Sequence, residues 1–403
     1  MMSQIVIIGA GPTGLTLAML LAQRGIAVKL IEISRSFRRT FRGEALMPSG
    51  LDAIDLMGLS DLVQAISHCA LDAWEFIIEG RSIFRVDEPL EPHGATCTLI
   101  SQPAFLEGVL SEASKYPNFE FIAGSAVRDL LWQDGRVAGV TLGDDRQITA
   151  DLVIGADGRN SIVRQQANLS LQQNSSGFDI LWFKLPSSPQ FEAENVFYSI
   201  VAGDDAFGVF RSSEGNLQIG LSLHGDLANN WQQTNWIEQI IKAAPDWLAA
   251  HLQSQAEAIE RPVLLSVTVG RCPRWYAPGV LLLGDAAHPM SPIRAQGINM
   301  ALRDAIVATN HLVPLLEGNP NLGEIDTVLP QIQAEREPEI VQIQKLQRAE
   351  IAQAELLRNY PPLRHAVSRL APVVPLLQNR IRHSWIDRQL QLRRGVTEVC
   401  LKV

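Results

Sequence analysis

The chain has 403 residues, 46% hydrophobic and 19% charged, with a formal net charge of −9. These figures fit a folded protein with more than one core and exclude a disordered chain, and the acidic balance argues against nucleic acid as main partner. The four cysteines, Cys69, Cys97, Cys272 and Cys400, lie far apart with no Cys-x-x-Cys pair. Neither a disulfide framework nor a metal site is expected, and reduced thiols point to the cytoplasm.

The N-terminal run IVIIGAGPTGLTLAMLLA is apolar enough to be taken for a signal peptide or a membrane span. No Lys or Arg precedes Arg24, however, and Gly-Ala-Gly-Pro interrupts the run. Strand, Gly-rich turn and helix is the better reading, with Gly25 as the helix stop and AVKLIEI as a second strand. That is a βαβ-type opening to a parallel sheet. Its turn holds Gly9-x-Gly11-x-x-Gly14, with Pro12 and Thr13 at the helix start. Gly9 permits the tight turn, Gly11 lets the backbone approach a pyrophosphate, and Gly14 lets helix pack on sheet. Glu32 ends the second strand, placed to accept ribose hydroxyls. Together these indicate a dinucleotide without separating FAD from NAD; a plain tight turn with a solvated Glu is the alternative.

From Phe119 the pattern becomes a β-meander with a hairpin turn at Asp134-Gly135. DLVIGADGRNSIVRQ, 151–165, then reads as a strand, a turn at Asp157-Gly158, and a helix capped by Asn160 or Ser161. Asp157 either serves a ligand or merely stabilises this turn. Two further stretches are β-rich: AWEFIIEGRSIFRVD, and about 178 to 269, with a helix expected over Trp236 to Leu252. The chain thus leaves a nucleotide-type domain twice and returns twice. The expected division is 1–70, 96–175 and 270–330 for that domain, 71–95 and 176–269 for a β-sheet substrate domain, and 331–403 for C-terminal helices; after Asn299 the chain reads as mostly helical, punctuated by Pro330, Pro338 and Pro361-Pro362.

The third signal, GDAAHPMSPIRAQGINMALRDA, follows the apolar run Val280 to Leu283. Asp285 stands where a strand stops, in the crevice region where open α/β sheets bind ligands. QGINMALRDA begins a helix whose first N–H groups, around Gly297 to Asn299, face that crevice. His288 is a packing residue first and a base second.

Taken in order, the three signals resemble the group A flavoprotein monooxygenases, aromatic hydroxylases of the para-hydroxybenzoate hydroxylase fold. The resemblance implies an α/β fold: a Rossmann-like FAD-binding domain, an interleaved β-sheet substrate domain and a helical C-terminal region. It places Gly9 to Gly14 and Glu32 on the ADP part of FAD, Arg42 and Gln102 on the FAD, the backbone of Val127 near adenine, and Asp157 on FAD and NAD(P)H. Asp285 would hold the ribityl chain, while Pro292, Gly297, Ile298 and Asn299 would border the isoalloxazine. Two departures stand out. Many members have Arg where this chain has Gln102. The loop usually reads Pro-x-Gly-Gly-Gln-Gly, where this chain has Pro292-Ile293-Arg294-Ala295-Gln296-Gly297.

The implied chemistry is NAD(P)H-driven hydroxylation by molecular oxygen through a C4a-hydroperoxyflavin, on an apolar aromatic or polyunsaturated substrate. Pro292, His288 and Arg294 are the candidate catalytic residues. Arg294 is expected to lie near the flavin and raise its potential, or else to face solvent or pair with an acid such as Asp304. Trp182, Phe183, Phe197, Tyr198, Phe207 and Phe210, with Arg211, Ser222 and His224, are the pocket candidates. A flavin reductase or oxidase without oxygen transfer, and a non-catalytic flavin-binding partner protein, are the competing readings; a halogenase is disfavoured because no Trp-x-Trp-x-Ile-Pro stretch occurs. Residues 361–403 hold eight Lys/Arg against two acids. A solvated face or a homodimer contact explains that, and weak attraction to an anionic membrane surface is the sharper reading.

Overall fold

The computed structural model describes residues 4–37, 44–174, 178–225 and 230–403. Its opening is the βαβ unit that the hydrophobic pattern predicts: β1 (Gln4–Ile8), α1 (Pro12–Gln23) and β2 (Ala27–Glu32). With β3 (Phe119–Ala123), β4 (Leu152–Gly155), β5 (Tyr276–Ala277) and β6 (Val280–Leu282) they form a six-stranded sheet in the order β5-β6-β4-β1-β2-β3. All neighbours are parallel except the edge strand β5. Ile5, Val6 and Ile7 are buried completely, as suits a parallel strand covered on both faces. The sheet order reverses at β1, and a crevice opens at such a switch point beyond the carboxyl ends of the strands.

A second, seven-stranded sheet joins two distant segments of chain. Its order is Val263–Leu265, Asp179–Leu185, Leu217–Leu223, Asp205–Arg211, Val196–Ala202, Ala73–Ile78 and Arg81–Asp87. The insertion at 73–87 enters through a parallel pairing of Ala73–Ile78 with Val196–Ala202. Strand alternation then sorts the aromatic residues onto two faces. Phe183, Tyr198 and Phe207 pack with Trp236 and Leu248 against a helical layer. Trp182, Phe197 and Phe210 lie on the other face with Trp74, Phe76, Phe84 and Trp385. The single helix expected over Trp236–Leu252 is two, Trp236–Ala243 and Asp246–Ser254. Pro245 forces its predecessor Ala244 into an extended conformation, and the helix breaks there.

From Gln296 onward the chain is mostly helical: α2 (Gln296–Glu317), α3 (Leu322–Asn359), α4 (Pro361–Leu370) and α5 (Pro375–Arg394). Pro330 and Pro338 do not punctuate α3, which runs through both for 38 residues. A capping box between Asn321 and Glu324 fixes its start. Its apolar stripe, Ile325, Leu329, Ile332, Ile340 and Ile343, is fully buried. That burial outweighs the roughly 3 kcal/mol that an interior proline costs a helix.

Candidate functional site

The three signals meet at the carboxyl ends of β1, β2, β4 and β6. Gly9 has φ +98°, and a Cβ there would stand 2.4 Å from the Ala156 carbonyl oxygen. A Cβ on Gly14 would stand 2.0 Å from the Gly9 oxygen, whereas one on Gly11 meets nothing within 4 Å. Gly9 and Gly14 are thus closed off by backbone, and Gly11 borders open space fit for a phosphate. No side chain caps the start of α1. Its first N–H groups and partial positive charge are available to an anion. Glu32 is buried; its oxygens accept N–H groups from Ala10 at 2.8 Å and Ser34 at 2.9 Å. Val127 begins the strand Val127–Gln133, and Gln102, buried, begins the helix Gln102–Ala113. Arg42 lies outside the described residues.

Asp157 Oδ2 accepts the N–H groups of Ile162 at 2.7 Å and Val163 at 3.1 Å. Burial pushes its carboxyl up, while hydrogen bonds from Ser161 and the backbone oppose that shift. Ser161, not Asn160, caps the short helix by accepting the Arg164 N–H at 2.9 Å. Arg164 reaches across to the Ala286 carbonyl at 2.9 Å, tying the second signal to the third. Gly284 has φ +58°, and a Cβ there would stand 2.4 Å from Thr13 Oγ1, so the first and third signals touch. Asp285 is half-buried on the turn Gly284–Ala286 that follows β6.

His288 is buried, with its ring centroid 4.8 Å from that of Trp275 and Nε2 2.7 Å from Asp304 Oδ2. Asp304 also meets Arg336 Nε at 2.7 Å and accepts the Gly284 N–H at 3.0 Å. Burial alone would raise the Asp304 carboxyl, but His288 and Arg336 hold it at about 2. These contacts hold His288 between Trp275 and Asp304.

Arg294 departs most from expectation. It neither faces solvent nor pairs with Asp304, which is committed to His288 and Arg336. The acid is Glu350 on α3, 2.9 Å from Arg294 Nη2, and Arg388 Nε on α5 meets the same carboxylate at 2.8 Å. The Arg294 guanidinium also lies 5.3 Å from the Trp74 and Trp385 ring centroids and 5.5 Å from that of Phe76. Arg294 and Ala295 both adopt the left-handed conformation, with φ of 60° and 50°. The backbone keeps a shape suited to glycine although the side chains are larger, at about 1–2 kcal/mol per residue. Gln347 Nε2 steadies it by donating to the Ser291 carbonyl at 2.8 Å and the Ile293 carbonyl at 2.7 Å.

Beyond Ala295, no side chain caps α2. Gly297 again borders open space, and Ile298 is buried. The Asn299 side chain is spent on structure: it accepts the Met47 N–H at 2.9 Å and donates to the Ala295 carbonyl at 2.7 Å. Open space beside Gly11, carboxylates at Glu32 and Asp285, and an uncapped helix start next to Gly297 are the kinds of group that FAD would need along its length. A family model described as an FAD binding domain matches residues 2–340. This chain belongs to the FAD-dependent aromatic monooxygenase family.

Among its relatives, 6-methylpretetramide 4-monooxygenase of Streptomyces rimosus is 30% identical over 98% of this chain and 95% of its own. Squalene monooxygenase of Rattus norvegicus is 28% identical over 75% of this chain, which spans 53% of that protein. The solved structure of PqsL from P. aeruginosa in complex with 2-aminobenzoylacetate is 20% identical and covers 91% of this chain and 98% of its own, with a TM-score of 0.77, and so shares the fold. This protein is therefore an FAD-dependent monooxygenase. Among the described residues no helix is long and apolar enough to cross a membrane, and no group of three or more His, Cys, Asp or Glu is placed to hold a metal ion.

Sequence reasoning missed Glu350, Arg336, Trp385 and the aromatic pair Trp74 and Phe76. Each reaches the site through tertiary contacts that no local pattern encodes. Of the basic C-terminal residues, Arg364, Arg388, Arg393 and Arg394 pair with Glu79, Glu350, Glu88 and Glu91, while Arg369 and Arg380 are exposed.

Proposed function

We propose that this monooxygenase uses NAD(P)H and dioxygen to hydroxylate an apolar polycyclic aromatic or polyene substrate. The observation that carries this reading is the aromatic face of the seven-stranded sheet, where Trp182, Phe197 and Phe210 adjoin the box around Arg294. The names of the two relatives, which refer to a pretetramide and to squalene, support a large apolar substrate. Bound FAD supplies the redox chemistry, taking electrons from NAD(P)H and activating dioxygen.

The chain's own part is binding, orientation and exclusion of water. Gly11 and the start of α1 take the pyrophosphate, Glu32 the ribose hydroxyls, and Asp285 the ribityl hydroxyls. Gln102, Val127, Asp157 and Arg42 complete the cofactor contacts. The N–H groups of Gly297 to Asn299 face negative charge on the flavin's pyrimidine side. Pro292 borders the ring, His288 braces the loop through Asp304, and Arg294 acts as a positioning residue through Glu350. The first sheet would hold FAD and the second would close over the substrate, while α3 runs unbroken across the boundary expected at 330–331. The protein acts in the cytoplasm, where its free thiols stay reduced. The turn joining α4 and α5 touches anionic membrane surfaces weakly, or a second copy in a homodimer.

Titration of FAD into folded apoprotein tests the cofactor site. A charge-assisted hydrogen bond is worth about 1.5–3 kcal/mol, so Asp285→Ala should weaken binding roughly tenfold to a hundredfold. Unchanged affinity would remove Asp285 from the site.

A further inference from the structure

Three polar side chains of α3 grip the loop that leads into α2. Gln344, Gln347 and Glu350 stand three residues apart and so lie along one side of the helix. They meet the loop in order. Gln344 Nε2 donates to the Gly270 carbonyl at 2.7 Å and the Pro289 carbonyl at 3.4 Å. Gln347 takes the Ser291 and Ile293 carbonyls, and Glu350 takes the Arg294 guanidinium. The Pro292 carbonyl accepts the Ala295 N–H at 3.0 Å, that of Arg294 accepts Gln296 Nε2 at 2.9 Å, and that of Ala295 accepts Asn299 Nδ2. Every carbonyl from Ser291 to Ala295 is thus engaged, and the loop enters α2 in one fixed shape.

The charges at the end of this ladder do not balance. Elsewhere in the interior, Arg303 and Arg336 are met by Asp304 and Glu339, and Arg393 is met by Glu88. Glu350 offers one carboxylate to two arginines, Arg294 at 2.9 Å and Arg388 at 2.8 Å. Burial would raise its carboxyl, but the two cations hold it below its usual range, so it is ionised at neutral pH. Two positive charges less one negative leave +1, in a chain whose total is −9. The Arg294 guanidinium is largely buried, and Trp74, Phe76 and Trp385 turn ring faces to it. Such faces suit a cation that its acid does not neutralise.

Arg294 stands three residues before Gly297, where open space meets the uncapped start of α2. A hydride from NAD(P)H carries two electrons and one proton, so bound FAD gains one negative charge as NAD(P)+ forms. At an effective dielectric of about 20, a unit charge is still felt across roughly 10 Å. We propose that Arg294, Glu350 and Arg388 tune the flavin as a unit. Glu350 pins the guanidinium beside the loop, and the surplus positive charge favours the reduced, anionic cofactor over the oxidised one. Glu350 and Arg388 are positioning residues that act through Arg294, so the C-terminal helix α5 takes part in setting the cofactor's potential. This rests on the proposed placement of FAD, and the test keeps the two apart.

The test measures the two-electron potential of bound FAD by equilibration with a reference dye, in the parent and in variants that move the charge count in opposite directions. Arg388→Met takes the cluster from +1 to 0. It should lower the equilibrium constant for reduction about threefold or more, which is about 14 mV for a two-electron couple. Arg388→Lys keeps the charge without the planar fork and should stay close to the parent. Glu350→Gln takes the cluster to +2 and should move the potential upward. Because Arg388 is partly exposed, its variants keep the proposal testable even where stranding two arginines in Glu350→Gln prevents folding. An unchanged potential in Arg388→Met overturns the proposal. Equal shifts in Arg388→Met and Arg388→Lys overturn it too, since they mark a packing role without a charge effect. Failure of the FAD placement would show separately, as a parent that retains no flavin absorbance or an Asp285→Ala variant with unchanged FAD affinity.

Discussion

Arg294 and Ala295 show how a residue-level departure is tolerated. Two left-handed side chains cost about 1–2 kcal/mol each. An ion pair and three aromatic faces offset them, a cation–π contact contributing about 0.5–2 kcal/mol. Glu350 shares its single negative charge between Arg294 and Arg388, so the pairing holds the Arg294 guanidinium in place without neutralising the cluster. Breaking a buried pair costs about 3–5 kcal/mol when the partner charge is stranded. Here Arg388 and Gln389 still hold Glu350, and glycine relieves the strain. Arg294→Gly should therefore lose only about 1–3 kcal/mol. Thermal unfolding of the FAD-loaded protein checks this; an unchanged midpoint would mean that the box contributes nothing. Glu44 gives a pH signature. Its folded midpoint of about 7 lies above the usual 4.5, so the folded state holds a proton that the unfolded chain has released between those values. Stability should fall as pH rises through that window. The shift alone corresponds to about 3 kcal/mol, reduced to about 1–2 kcal/mol because the residue is partly exposed. Glu44→Gln should gain on the parent between pH 4.5 and 7 and run parallel above; unfolding curves parallel throughout would contradict the burial of an ionisable acid.

At the scale of elements, local pattern carries far and then stops. The Gly9 to Gly14 turn, the strand ending in Glu32 and the uncapped start of α2 were legible because each is set by a few consecutive residues. Pro330 and Pro338 misled because burial on the far side of α3 overrides a local preference. Phe183, Tyr198 and Phe207 carried the same composition signal as Trp182, Phe197 and Phe210, yet only packing decides which face meets the helical layer. The turn between α4 and α5 carries an exposed apolar tip. Val373 and Leu376 are 71% and 81% exposed. From Leu356 to Ile386 the chain has no acid, and Arg369 and Arg380, both exposed, flank the turn. An apolar tip between cations suits shallow contact with an anionic bilayer. Co-flotation with phosphatidylglycerol vesicles should exceed that with phosphatidylcholine vesicles and fall in Leu376→Glu; equal flotation with both lipids would end that reading.

At the scale of the molecule, separate chain segments converge on one crevice. The first sheet supplies the turn residues, the second the aromatic face, and α3 and α5 the Glu350 contacts that hold the loop between them. The charge count of the C-terminal segment was legible in the sequence, but its pairing with Glu79, Glu88 and Glu91 was not, because those acids lie about three hundred residues earlier. Under the proposed function the aromatic face would serve the substrate of oxygen transfer, and product analysis separates that activity from a reductase or a flavin carrier. The most direct measurement is turnover of a polycyclic phenol panel with NAD(P)H under isotope-labelled dioxygen, followed by mass analysis of the product. One labelled oxygen atom in the product, with NAD(P)H consumed in step, is the expected result. NAD(P)H consumption with hydrogen peroxide as the sole oxygen product across the panel would contradict it.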